Sequence, residues 1–169
     1  MSNYSVSALN ALVGCRLDRS SHAADLRAFQ FVGRDPDQWV LHVQCPWRVE
    51  CDARIVTGRT DWWDTEDGAE PGEDWDPARG GSLQVFRLRE VLADFESTGM
   101  AALVNRTESF VVTQVVIGPL GDIVLEMTGG FRIVVFPAGT REECWRFFKR
   151  GDLASHIVWP PECEVVQWA

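Results

Sequence analysis

An apolar hairpin in the last third of the chain restricts the possible folds more than any other feature. Ile123, Leu125 and Met127 lie on one side of an extended segment, because side chains alternate along a strand. Gly129-Gly130 then has the form of a two-residue turn, and residues 131–136 return as the second strand. A hairpin with one apolar face needs other elements to cover it, so we expect an antiparallel sheet with a second layer.

Other segments also have the alternating, β-branched or aromatic pattern of strands. They are residues 26–32, 39–45, 48–51, 54–57, 110–117, 143–149 and 156–159. The pair at 48–51 and 54–57 predicts a short, twisted hairpin. The run at 110–117 is almost continuously apolar, which predicts a central strand covered on both faces.

One long helix is predicted over residues 82–96, with Ser82 as its N-cap. Its buried stripe comprises Leu88, Val91, Leu92 and Phe95. Val6, Leu9 and Val13 have the spacing of a short N-terminal helix. Together these elements predict an α+β fold, in which antiparallel sheets pack against one main helix and a short N-terminal helix precedes them.

Length and composition favour a single domain over residues 1–169. Apolar residues make up 46% of the chain and charged residues 24%, which is enough for a folded core. The 25 acidic side chains exceed the 16 basic ones, and the net charge of −9 argues against nucleic acid or an anionic membrane as a partner. No basic residue precedes Arg16, and no apolar run reaches the roughly 18 residues of a spanning helix. We therefore expect a soluble, cytoplasmic protein.

A charge-dense segment without apolar periodicity, the acidic loop (residues 59–81), separates the predicted hairpin from the helix. It contains eight acidic residues, which account for almost all of the net charge of −9. They are Asp61, Asp64, Glu66, Asp67, Glu70, Glu73, Asp74 and Asp76. Trp62, Trp63 and Trp75 lie among them. A connection this long in a compact domain is generally either functional or disordered.

Three interpretations of the acidic loop are open. A calcium loop needs a bidentate glutamate at its twelfth position, but counting from Asp64 that position is Trp75, so we expect no metal here. A solvated insert without a partner is typical of charge-dense segments. A surface for a basic protein would use the carboxylates to steer the partner and the tryptophans to anchor it.

The first function hypothesis is a non-enzymatic protein-binding module that binds a basic protein surface. Its partner-binding residues would be the eight acidic residues and the three tryptophans of the acidic loop. Immunity proteins that neutralise basic nuclease toxins are a physical precedent, because acidic groups with aromatic anchors block a phosphate-binding cleft. Such a complex is expected to weaken as salt is added.

The alternative hypothesis is a small-molecule binder or an enzyme with a cleft around two predicted strands. The cleft residues would be His42, Gln44, Arg48, Trp145 and Arg146. An arginine beside a tryptophan can bind a carboxylate or stack on a ring. The simpler interpretation is that these polar groups satisfy neighbouring backbone groups and carboxylates.

The chain lacks the sequence motifs of the common catalytic and metal sites. No GxSxG, HExxH or GxxxxGK[ST] motif is present, and we expect no catalytic residue and no cofactor. The cysteines are Cys15, Cys45, Cys51, Cys144 and Cys163, with no CxxC pair. Their odd number and spacing indicate free thiols, most of them buried.

Several short strings together have a recognisable order. They are LHVQCPWR at 41–48, the IVTGRTD that follows it, GDIVLEMTGGFRIVVFP at 121–137, then ECWRFF and HIVW. In this order the chain resembles a group of uncharacterised bacterial single-domain proteins. Those proteins have a His-x-Gln-x-x-Trp-Arg strand, a glycine-turn hairpin that ends in Phe-Pro, and a Glu-x-Trp-Arg strand. The resemblance implies a shared fold and no known activity.

Overall fold

The computed structural model describes residues 8–23, 26–33, 37–79, 81–92, 95–97, 101–104, 110–139, 141–152 and 156–160. Within them lie one α-helix, α1 (Leu83–Leu92), and a set of β-strands. The strands are β1 (Arg16–Ala23), β2 (Leu26–Val32), β3 (Gln38–Val43), β4 (Trp47–Cys51), β5 (Arg54–Gly58), β6 (Phe95–Ser97), β7 (Ala101–Val104), β8 (Val112–Ile117), β9 (Ile123–Met127), β10 (Phe131–Val135), β11 (Trp145–Lys149) and β12 (Ile157–Trp159). Short 3-10 helices occupy Ala8–Leu12, Thr60–Trp62, Pro77–Arg79 and Thr128–Gly130.

The strands form two antiparallel sheets. The larger has the order β12-β11-β3-β2-β1-β7-β6, and the smaller has the order β5-β4-β10-β9-β8. The predicted α+β class with one main helix is confirmed. The strands nearest the N-terminus, β1 to β3, lie in the larger sheet, which β11 and β12 extend beyond β3.

The core lies between the two sheets. Phe29 and Leu41 project into it from the larger sheet, and Leu125 and Ile133 from the smaller one, all fully buried. The Phe29 ring meets the Trp47 ring edge to face across the interface, with centroids 5.3 Å apart. This alternation of buried and exposed positions is what two sheets packed face to face require.

The predicted glycine-turn hairpin forms from β9 and β10, but its connection is the three-residue segment Thr128–Gly130 rather than a two-residue turn, since Glu126 pairs with Arg132. Ile123, Leu125 and Met127 are all buried, so the alternation read from the sequence sets the inner face. Gly129 and Gly130 have φ of 79° and 77°, the left-handed conformation that glycine adopts without strain. The predicted hairpin at 48–51 and 54–57 is likewise confirmed as β4 and β5.

The main helix is shorter than predicted. It begins directly after Ser82, as the N-cap assignment required, but it ends at Leu92. Phe95 and Glu96, expected in its last turn, instead lie in β6, which pairs antiparallel with β7 at the edge of the larger sheet. Strand pairing with β7 supplies backbone hydrogen bonds that a longer helix would have formed internally, so tertiary context overrides helix propensity here.

The apolar run at 110–117 does not become a central strand. It forms β8 at the edge of the smaller sheet, and Thr113, Gln114 and Val116 are exposed. A strand covered on both faces needs a layer on each side, but α1 packs against β5 and β7 instead. The prediction of two-sided burial was therefore wrong.

The N-terminal helix is a short 3-10 helix, Ala8–Leu12, packed against β8. Leu9 and Leu12 are buried, whereas Val13 is 50% exposed. Val6, the first residue of the predicted stripe, lies outside the described residues. The 3-10 geometry repeats every three residues, which explains why Leu12 rather than Val13 joins Leu9 in the core.

Candidate functional site

The acidic loop is a folded segment tied to the start of α1. The Glu66 amide donates to the Gly81 carbonyl at 2.7 Å, and the Leu83 amide donates to the Asp64 carbonyl at 2.8 Å. The Ser82 hydroxyl reaches the Asp61 carbonyl at 3.4 Å. These contacts hold the first part of the loop against its own end and the start of α1.

The first and last acidic residues of the loop stabilise its own ends. The Asp61 carboxylate accepts hydrogen bonds from the Thr57 hydroxyl at 2.7 Å and from the Gly58 amide at 3.3 Å. Asp76 forms an ion pair with Arg79 at 3.3 Å. Both carboxylates are only partly exposed, so their first role is to hold the loop.

The other acidic side chains of the loop are exposed to solvent. They are Asp64, Glu66, Asp67, Glu70, Glu73 and Asp74. Asp67 also accepts a hydrogen bond from the Ala69 amide at 3.0 Å, and this bond lowers the pKa of Asp67. In the part of the chain that the structure describes, no Lys or Arg forms an ion pair with any of the six. The loop therefore presents uncompensated negative charge.

The three tryptophans of the loop have different environments. Trp62 is buried, with 5% exposure, and its ring stacks on the His22 ring with centroids 3.5 Å apart. Trp75 is partly buried. Trp63 is 60% exposed, so it is the tryptophan whose ring is most available to a partner.

A buried arginine lies beneath the loop. Arg27 is 1% exposed and has no carboxylate partner among the described residues. Its guanidinium donates to the Ser20 hydroxyl at 3.3 Å and to the Gln84 side-chain oxygen. It also lies 5.7 Å from the centroid of the Trp47 ring and 6.0 Å from that of Trp62. Burial lowers the pKa of Arg27 to about 9.

Gln84 connects this arginine to the base of the acidic loop. Its amide nitrogen donates to the Gly58 carbonyl at 2.7 Å and to the Arg59 carbonyl at 3.3 Å, while its oxygen accepts from Arg27. The point where β5 turns into the loop is therefore held from inside the protein.

Sequence reasoning did not single out Arg27, although a signal was present. Arg27 lies two and four positions before Phe29 and Phe31 on β2, so all three side chains share one face of the strand. Phe29 and Phe31 are fully buried. A charged residue in phase with two core aromatics indicates a buried charge, which needs polar or aromatic partners.

The five residues of the alternative cleft occupy different places. His42 and Arg146 are directly paired on neighbouring strands of the larger sheet. Arg146 forms a two-point ion pair with Glu143, at 3.0 and 2.5 Å. Burial, together with the Arg146 charge, lowers the pKa of His42 to about 4. Trp145 is 1% exposed, so its ring belongs to the core.

The remaining two cleft residues lie apart from that pair. Arg48 is on β4 in the other sheet, where it binds Glu50 at 2.5 Å and covers the Phe136 ring at 4.6 Å. Burial alone would raise the pKa of Glu50, but the hydrogen bonds and charges of Arg48 and Arg132 lower it overall. Gln44 lines a pocket of ≈ 270 Å³ that contains none of the other four. The five side chains therefore do not line a common pocket.

The described residues contain no group of three or more His, Cys, Asp or Glu side chains arranged to hold a metal ion. None of the helices found in this part of the chain is both long and apolar enough to cross a membrane. Comparison with protein-family models, curated proteins and solved structures finds no match to the chain. The resemblance to uncharacterised bacterial proteins therefore stays an expectation.

Proposed function

We propose that this protein is a non-enzymatic binding module, of the immunity or antitoxin kind, that binds a basic protein surface with its acidic loop. The observation that carries the proposal is the display of Trp63, 60% exposed, in a folded loop with six exposed carboxylates. Exposed tryptophan and concentrated charge are the features from which binding hot spots and electrostatic steering are built.

The order of the loop backbone supports binding over simple solvation. Hydrogen bonds to Gly81 and Leu83 hold the loop against α1, and the Gln84 network holds its base. A preordered loop loses less conformational entropy on binding than a mobile one. The backbone that carries Trp63 and the first exposed carboxylates is thus held before a partner arrives.

The acidic residues divide into those that fold the loop and those that remain for a partner. Asp67 and Asp76 accept a hydrogen bond or form an ion pair within the loop, and Asp61 accepts hydrogen bonds from the end of β5. The side chains of the other five, Asp64, Glu66, Glu70, Glu73 and Asp74, are exposed and have no such contacts in the described part of the chain. This second group is the one whose charge can be removed without disturbing the loop.

The test compares partner capture by the native chain and by a triple variant, Glu70→Gln, Glu73→Gln, Asp74→Asn. Each protein is immobilised, exposed to lysate of the source cell at low salt, and washed with increasing NaCl. Removal of three charges at about 0.2–1 kcal/mol each should weaken the binding of a captured basic partner by roughly 3- to 150-fold. Trp63→Ala should weaken it by about 2 kcal/mol or more if the ring is an anchor.

A matched control changes the same number of charges elsewhere. Asp52→Asn, Glu90→Gln and Glu142→Gln neutralise three exposed carboxylates outside the loop. The proposal requires that this variant keep the partner at every salt concentration that the native chain tolerates. A partner held equally by the loop variant and the native chain, or insensitive to salt, would refute the proposal, and so would the absence of any basic partner.

A further inference from the structure

Two cysteines that are 99 positions apart in the sequence lie side by side in the structure. Cys45 follows β3 and Cys144 precedes β11, the strand paired with β3. The Cys45 amide donates to the Cys144 carbonyl at 3.1 Å, next to the bond from the Gln44 amide to the same oxygen at 2.9 Å. A disulfide requires the two α-carbons to lie about 4.4–6.8 Å apart, and residues joined by one backbone hydrogen bond are at about this separation.

Both cysteines line the same pocket. It has a volume of ≈ 270 Å³, and its other lining residues include Arg59 and Glu143. Cys45 is 6% exposed and Cys144 is 4% exposed, so bulky reagents have little access to either sulfur. A small oxidant such as a peroxide fits a space of this size.

The thiols interact with each other and with nearby carbonyl groups. The Cys144 sulfur lies 3.7 Å from the Glu142 carbonyl oxygen and 3.9 Å from that of Gly139. Burial first, and the adjacent Cys144 second, raise the pKa of Cys45 to about 12. Cys45 is therefore a protonated thiol at neutral pH that must release its proton as it attacks, so the first reaction with an oxidant is assigned to Cys144.

We propose that Cys45 and Cys144 form a dithiol site that a peroxide converts reversibly to a disulfide. The Cys144 sulfur attacks one peroxide oxygen, the O–O bond breaks, and the thiol proton leaves with the departing hydroxide as water, so that a sulfenic acid remains on Cys144. The Cys45 sulfur then attacks the Cys144 sulfur, its S–O bond breaks, and the Cys45 proton leaves with the hydroxide as a second water. The two thiols lose two electrons, and the peroxide gains them.

The other described cysteines have no such neighbour. Cys15 lies 3.2 Å from the Ala11 carbonyl oxygen, and Cys51 lies 3.9 Å from that of Gly129. Cys51 is at the far end of β4, opposite Phe131, rather than beside Cys45. Within the described residues, Cys45 and Cys144 are the pair of thiols placed for a disulfide. Arg59, at the start of the acidic loop, lines this pocket, but the dithiol proposal does not rest on the proposed function.

The test is oxidation of the full native chain by hydrogen peroxide at a small molar excess. The expected result is an intact mass lower by two hydrogen atoms and, after digestion without reductant, a linked pair of peptides that contain Cys45 and Cys144. Treatment with dithiothreitol should restore both the mass and the separate peptides. Circular dichroism before and after oxidation checks that the chain stays folded.

Single substitutions separate this pair from the other thiols. Cys51→Ser should still lose two hydrogen atoms, whereas Cys45→Ser should not and should instead carry a dimedone-reactive sulfenic acid on Cys144. If Cys45→Ser fails to fold, the peptide map of the native chain decides the question alone. Linkage through Cys15, Cys51 or Cys163, or a Cys45–Cys144 link that forms only in denaturant, would overturn the proposal.

Discussion

The stack between His22 and Trp62 predicts a specific acid sensitivity of the fold. The two rings are nearly parallel, at 14°, with centroids 3.5 Å apart. Burial, and then the positive charges of Arg27 and Arg59, lower the pKa of His22 to about 3. The folded protein therefore holds the imidazole neutral, whereas the unfolded chain protonates it near pH 6.5.

This pKa difference sets the sign and the size of the effect. Because the pKa is lower in the folded state, the unfolded chain binds the proton first, and stability falls as pH drops from about 6.5 towards 3. Between pH 7 and pH 5 the loss from His22 alone amounts to about 2 kcal/mol in the free energy of unfolding. Because the ring is only partly buried, solvent screening makes about 1–2 kcal/mol the expected range.

Urea unfolding at pH 7 and at pH 5 measures the effect. His22→Phe keeps an aromatic ring against Trp62 but removes the titration, so the loss between the two pH values should shrink by about 1–2 kcal/mol. His42→Phe is the comparison variant. The pKa of His42 is also lowered, to about 4, at a separate site, so this substitution should reduce the pH-dependent loss of stability independently of His22. A His22→Phe protein with the full pH dependence of the native chain would refute this account.

Two further substitutions test contacts elsewhere. Gly121→Ala should destabilise the fold by about 2–4 kcal/mol in urea unfolding, because φ is +83° and a Cβ would lie 2.2 Å from the Trp159 ring; a loss below about 0.5 kcal/mol would contradict that close approach. Trp62→Ala should destabilise the fold by about 3–5 kcal/mol, while Trp63→Ala should change stability by less than about 0.5 kcal/mol. Equal losses for the two tryptophans would show that their burial does not differ in solution.

Several features of the fold follow from consecutive residues alone. The alternation of Ile123, Leu125 and Met127 identified the inner face of β9, and Gly129-Gly130 identified its turn. Ser82 marked the start of α1. Such patterns are readable because side-chain direction within a strand or helix depends on local geometry and on no distant partner.

The candidate site was predictable in its position but not in its detail. The charge of the acidic loop is a property of composition, so the sequence located it. Trp62 and Trp63 are adjacent and chemically identical, yet one is stacked on His22 in the interior and the other is 60% exposed. Asp61 also could not be distinguished from the exposed carboxylates until its contact with Thr57 was known.

The sequence by itself therefore determined the local features of the protein: the hairpins, the start of the helix and the concentration of negative charge. Only the tertiary structure decided that α1 ends at Leu92, that β8 lies at a sheet edge, and that Cys45 lies beside Cys144. The first and the third depend on partners far away in the chain: β6 joins the larger sheet through β7, which pairs with β1, and Cys144 precedes β11, which pairs with β3. The helix and strand propensities of individual residues differ by only about 1 kcal/mol or less. Strand pairing and burial in the folded chain therefore decide which secondary structure a segment adopts.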